Sequence, residues 1–111
     1  MEGFIIDSAG PDGLVGVFED DGDTGYLYVY RPEADIILNH LHIYDRSPNI
    51  FVQPRDVRVL WSNDLSKCRV IIWEKMRGII DVEHKTEGRV WLESKSTPGI
   101  GAPAWLSGFI V

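Results

Sequence analysis

The sequence predicts a mainly β domain, an antiparallel sandwich or partly open barrel with at most one or two short helices. Three observations lead there. From Asp56 onward, short runs rich in Val, Ile and Trp recur at about ten-residue spacing with Gly, Asn or Asp turns between them, the pattern of a meander and not of βαβ units. Ahead of them, residues 14–30 spell out one hairpin almost completely. A chain of 111 residues, 44% hydrophobic and 25% charged, has the size and composition for one core, and so for a single domain over residues 1–111.

The elements follow in order. Leu14-Val15-Gly16-Val17-Phe18 is an apolar strand ending at Glu19. Asp20-Asp21-Gly22-Asp23 is dense in turn formers, because Asp tolerates a left-handed backbone and Gly adopts it freely. In Tyr26-Leu27-Tyr28-Val29-Tyr30, a period of two sets the three tyrosines on one face and Leu27 and Val29 on the other. Pro32-Glu33-Ala34-Asp35 opens like a helix, with a proline and acids near its start. The apolar residues from Ile36 to Tyr44 fit neither period, and the expectation is a short helix to about Asn39, then a strand over residues 41–44. Pro48 and Pro54 make residues 45–55 a loop.

Strands are then expected over residues 57–61, 68–73, 79–83 and 89–93. Val70-Ile71-Ile72-Trp73 is continuously apolar, as in a central strand covered on both faces. Trp61, Trp73 and Trp91 fall in different meander strands, where cross-strand packing is their ordinary use. The tail is irregular over residues 98–103. Trp105, Leu106, Phe109, Ile110 and Val111 are expected to return to the core as a last strand or cover.

Composition excludes several function classes. One cysteine, Cys68, allows no internal disulfide. Residues 1–7 lack a basic stretch followed by an apolar one, and no run approaches the ~18 apolar residues of a membrane span, so the expected compartment is the cytoplasm and no membrane is expected as a partner. The formal net charge of −6 argues against nucleic acid. Residues 1–30 carry Glu2, Asp7, Asp12, Glu19, Asp20, Asp21 and Asp23 with no Lys or Arg, whereas the remaining residues are nearly neutral. An exposed turn in that segment gives one strongly negative end, able to steer a basic partner or simply to keep the protein in solution.

The chemistry-bearing groups are few. Glu19-Asp20-Asp21-Gly22-Asp23 has the composition of a calcium loop, but twelve residues from Asp20 places Arg31 where a bidentate glutamate belongs, and a charged hairpin turn is the simpler reading. His40 and His42 would share a face on a strand, about 7 Å apart at Cα, and could bind zinc with a further ligand; on a helix they would diverge. Cys68, beside Val70 and Ile72, is expected to be a buried, inert thiol. No Gly-x-Ser-x-Gly elbow surrounds a serine, and the glycines at 99 and 101 are bracketed by prolines, so neither nucleophilic hydrolysis nor nucleotide binding is expected. No enzyme activity and no cofactor are expected.

Three segments, Val17-Phe18-Glu19-Asp20-Asp21-Gly22-Asp23-Thr24-Gly25-Tyr26, Leu41-His42-Ile43-Tyr44 and Trp61-Ser62-Asn63-Asp64, are similar to a family of small uncharacterised bacterial proteins, a domain-of-unknown-function group. The resemblance spans residues 17 to about 83, and implies a bacterial origin and a compact single domain. It brings no activity.

The function expected from these residues is a non-enzymatic protein-interaction module, immunity- or regulator-like by analogy of size and charge. Its surface is built from Glu19, Asp20, Asp21, Asp23, Tyr26 and Tyr28, and it faces a basic protein. Two alternatives stand beside it. One is a small-molecule or metal-binding domain using His40, His42 and the hairpin carboxylates; the other is a homodimer paired through a strand edge or the tyrosine face.

Overall fold

A computed structural model describes residues 2–100. Eight strands, β1 (Phe4–Ala9), β2 (Val15–Asp20), β3 (Thr24–Arg31), β4 (Ile36–Asp45), β5 (Val57–Trp61), β6 (Lys67–Ile72), β7 (Lys75–Asp81) and β8 (Thr86–Arg89), form two four-stranded antiparallel sheets. Each is a plain meander, β1-β2-β3-β4 and β5-β6-β7-β8. Two 3-10 turns, Pro11–Gly13 and Pro54–Asp56, are the helical elements among the described residues. The mainly β class is as expected, and the sheets face one another as a sandwich. No helix among the described residues is long and apolar enough to cross a membrane.

The inner faces meet in one core. Phe18, Leu27, Val29, Ile43 and Tyr44 from the first sheet pack against Cys68, Val70, Ile72 and Ile80 from the second, all of them fully buried. The alternation along β3 is as the sequence predicts: Leu27 and Val29 are buried, while Tyr26, Tyr28 and Tyr30 are half-buried on the outer face. β6 lies between β5 and β7, and Val70, Ile71 and Ile72 are buried in agreement with a central strand. Burial pushes the Cys68 thiol up to about 12, which leaves it protonated and inert at neutral pH.

Hydrogen bonds stitch the two open sides, among them Asn39 Nδ2–H of β4 donating to Glu87 Oε1 of β8 at 3.4 Å. Trp61 Nε1–H donates to the Ser8 carbonyl at 3.0 Å, joining β5 to β1. On the other side the chain leaves β8, and Leu92 N–H donates to the Ile43 carbonyl of β4 at 3.1 Å. Arg77, fully buried, holds the segment that follows: it donates from Nε to the Ile72 carbonyl at 3.2 Å, from Nη1 to the Thr97 and Pro98 carbonyls, and from Nη2 to the Lys95 carbonyl at 3.4 Å.

Several expectations are corrected. No helix follows Pro32; the turn at residues 32–35 closes with Asp35 N–H donating to the Pro32 carbonyl, and β4 runs unbroken from Ile36 to Asp45. The cause is pairing along the whole of β3, interrupted at two places. Val29 pairs with Asn39 but Tyr30 pairs with Ile37, leaving Leu38 as an extra residue. Gly25 pairs with Tyr44 but Tyr26 with His42, leaving Ile43 as another. Each bulge resets the alternation, so the segment fits no single period.

The first strand, β1, was not anticipated. The last ladder strand ends at Arg89 instead of beginning there. Trp73 is not in a strand but in the two-residue turn between β6 and β7, and Trp91 lies beyond β8 against the first sheet. The expected return of residues 105–111 to the core lies outside the described residues.

Candidate functional site

The acidic hairpin divides into an inward and an outward half. At the end of β2 the alternation points Asp20 to the interior, where it is buried. Its Oδ2 accepts the Tyr44 hydroxyl at 2.5 Å, and both carboxylate oxygens accept from Arg46 Nε, at 3.0 and 2.9 Å. Oδ1 also accepts the Gly22 N–H at 2.8 Å. Burial, then the bond to Asp20, pushes the Tyr44 phenol far above its ordinary value, so it remains a donor. Asp20 therefore ties β2, β4 and the turn together and offers no free face to a partner.

Asp21 and Asp23 stay at the exposed tip. Asp21 Oδ1 accepts the N–H groups of Asp23 and Thr24, and these bonds hold its carboxyl below the usual carboxylate value. The Asp23 carbonyl accepts the Arg46 N–H at 2.7 Å.

On the outer face of the same sheet the strand register builds a row of rings. Tyr26 lies directly opposite His42, and Tyr28 opposite His40. The Tyr26 ring stacks on His40, centroids 4.7 Å apart at 27°, and lies 5.3 Å from His42. Tyr28 lies 6.3 Å from His40. His42 meets Trp91 edge-on at 4.9 Å, and the Arg89 guanidinium sits 5.2 Å above the Trp91 ring. Read across the sheet, the order is Tyr28, His40, Tyr26, His42, Trp91, with Arg89 at the far end.

Polar contacts fix both ends of the row. Tyr28 donates its hydroxyl to Glu19 at 2.9 Å; burial, then that bond, pushes the phenol up to about 12. His42 Nε2 and Asp45 Oδ1 are 2.8 Å apart, which orients the imidazole against Trp91. Tyr26 is flanked by both histidines and holds them apart, and Glu19 and Asp45 are each engaged in the row. Among the described residues no group of three His, Cys, Asp or Glu side chains converges as a metal site would require.

Of the residues singled out from sequence, Glu19, Tyr26, Tyr28, His40 and His42 thus come together on one face. Asp21 and Asp23 stand at its edge, and Asp20 lies beneath in the interior. The sequence reading missed Trp91, Asp45 and Arg89. Asp45 follows His42 by three residues and was legible in principle; Trp91 reaches the face only because the chain crosses between sheets after β8, and Arg89, the last residue of β8, meets the row through the Trp91 ring.

The model of a family described as an uncharacterized protein conserved in bacteria, DUF2251, matches residues 2–89. The chain belongs to this family. The match takes in all eight strands of the DUF2251 sandwich, including every Glu, Asp, Tyr and His residue of the outer face. Trp91 lies just beyond it. No curated protein and no solved structure matches the chain.

Proposed function

We propose that the domain is a non-enzymatic protein-interaction module that docks a basic partner on the outer face of its first sheet. The row Tyr28–His40–Tyr26–His42–Trp91 carries this reading. Five rings lie side by side on the solvent side of strands whose other face already fills the core, so packing within the domain does not use them up. Stiff aromatic side chains of this kind dominate binding hot spots. Carboxylates at Glu19, Asp45 and the tip residues Asp21 and Asp23 border the row and favour Lys or Arg on the partner, whose cations can also lie on the tyrosine faces.

Affinity capture at low and physiological salt tests the reading. A basic protein retained by the wild type, weakened by salt and lost with Tyr26→Ala supports it. Capture unchanged by Tyr26→Ala, or dependent only on Asp21 and Asp23, removes the ring row from the function.

A second reading has its own observation. At the free end of the edge strand β4, Ile36, Ile37 and Leu38 are 49%, 52% and 43% exposed. Three consecutive exposed apolar residues on a sheet edge favour pairing with a second copy. Light scattering distinguishes a dimer, lost with Ile37→Lys, from a monomer.

A further inference from the structure

The second sheet carries a cleft unrelated to the ring row. It lies between the Pro54–Asp56 turn, the outer side of β5 and β6, and the Trp73–Glu74 turn, with a volume of about 300 Å³. Arg55, Arg58, Ile71, Trp73 and Lys95 line it together with Asp56 and Glu74. It is contiguous with a second hollow of about 320 Å³ that shares Arg55, Asp56, Trp73 and Lys95 and extends to Phe51.

Three features distinguish this cleft from an ordinary charged surface. Its walls are preset: Trp73 N–H donates to the Asp56 carbonyl at 3.2 Å, Asp56 Oδ2 accepts the Gln53 N–H at 2.9 Å, and buried Arg77 holds the Lys95 carbonyl. Its cations, Arg55, Arg58 and Lys95, outnumber its acids, Asp56 and Glu74. In a protein of net charge −6 this is a locally basic place.

The third feature is the turn itself. Trp73 and Glu74 both have left-handed backbones, φ 53° and 68°, in a two-residue loop that Asn-Gly fills without strain. A bulky residue in that conformation costs about 1–2 kcal/mol. The cost is tolerated at the position that sets an indole against the cations, with Lys95 Nζ 5.9 Å from the ring centroid.

We propose that this cleft binds a small phosphate monoester attached to a flat ring, of mononucleotide size. Arg55, Arg58 and Lys95 take the phosphate, since guanidinium forks pair two oxygens at once and a monoester carries nearly two charges at neutral pH. Trp73 and Ile71 supply the apolar wall for the ring, and the volume sits at the small end of ligand pockets. The expectation that nucleotides do not bind rested on the lack of a glycine-rich cradle. Here side-chain cations from separate elements replace it, an arrangement with no local sequence signature.

The test is calorimetric titration of the full chain with AMP, with adenosine and inorganic phosphate as the two halves. AMP should bind with Kd below about 1 mM, and each half at least about tenfold more weakly. Arg58→Gln should weaken AMP about fivefold or more, the loss of one charge-assisted contact. Glu74→Gly should tighten it about two- to fivefold by removing an opposing charge. The same variant should melt higher, because glycine accepts the left-handed backbone; a gain in both cannot come from misfolding. Absence of AMP binding at that concentration, equal binding of adenosine, or wild-type affinity in Arg58→Gln overturns the proposal.

Discussion

Replacing Asp20 by alanine should remove a structural anchor, not a partner contact. The carboxylate receives one hydroxyl, one N–H and a two-oxygen contact from Arg46, all in a site where Asp20 is 1% exposed. Hydrogen bonds to a charged group contribute about 1.5–3 kcal/mol each, but they share one acceptor and do not add. Breaking a buried pair by removing one partner costs about 3–5 kcal/mol, because the other partner remains in the low-dielectric interior. Asp20→Ala should therefore cost about 4 kcal/mol, a large part of the 5–15 kcal/mol typical of a domain.

Tyr44→Phe should cost about 2 kcal/mol, since it removes a single charge-assisted bond and keeps the ring. The double variant should fall short of the sum by about 1–2 kcal/mol, the coupling of two residues in direct contact. Urea denaturation with unchanged m-values measures all three. A cost below about 1 kcal/mol for Asp20→Ala, or strict additivity, would refute the anchor reasoning.

Two further predictions concern other parts of the sandwich. A Cβ at Gly16 would collide with the Cys68 sulfur and meet Val59 Cγ1 at 3.2 Å, so Gly16→Ala should cost about 1–3 kcal/mol, and Cys68→Ala in the same chain should recover part of it; a neutral Gly16→Ala melt counts against the packing between sheets. Stability should be level from neutral pH to about 5 and then fall as acid is added, because Asp21, Asp64 and Asp81 are all held below the ordinary carboxylate value of 3.8.

The sign follows from where the protons go. For Asp64 the cause is donation from Ser62 and Ser66; for Asp81, burial works to raise the carboxyl, but His84 and Lys67 outweigh it. A lowered folded-state pKa gives stability that is complete above the unfolded value and disappears as pH falls through the folded one. Asp64→Asn should flatten part of the slope, and a stability curve level down to pH ~2 contradicts the assignment.

What was legible in the sequence was the part governed by local alternation. Leu27 and Val29 against Tyr26, Tyr28 and Tyr30 could be read directly, as could the turn at Asp21–Asp23 and the buried Cys68, because each depends on neighbours two or three residues away. β4 was misread since the bulges at Leu38 and Ile43 arise from its pairing with β3, and a helix-like opening at Pro32-Glu33 filled the gap. Asp20 was misassigned for a related reason. It looks like its acidic neighbours, but strand alternation continues one residue past Glu19 and turns it toward Tyr44 and Arg46, partners 24 and 26 residues away. The ring row was half visible: its strand residues follow from period two, whereas Trp91 joins through a crossing that no local pattern encodes.

The most direct measurement is the affinity of a captured basic partner for the wild type, for His42→Ala with Tyr26→Ala, and for Asp21→Asn with Asp23→Asn, each at two salt concentrations. Docking on the ring row predicts a loss of about 2 kcal/mol or more, roughly thirtyfold, for the ring variant at both salts. For the tip variant it predicts a smaller loss that vanishes at high salt. A ring variant that binds as tightly as the wild type, with all of the loss in the tip variant, contradicts it.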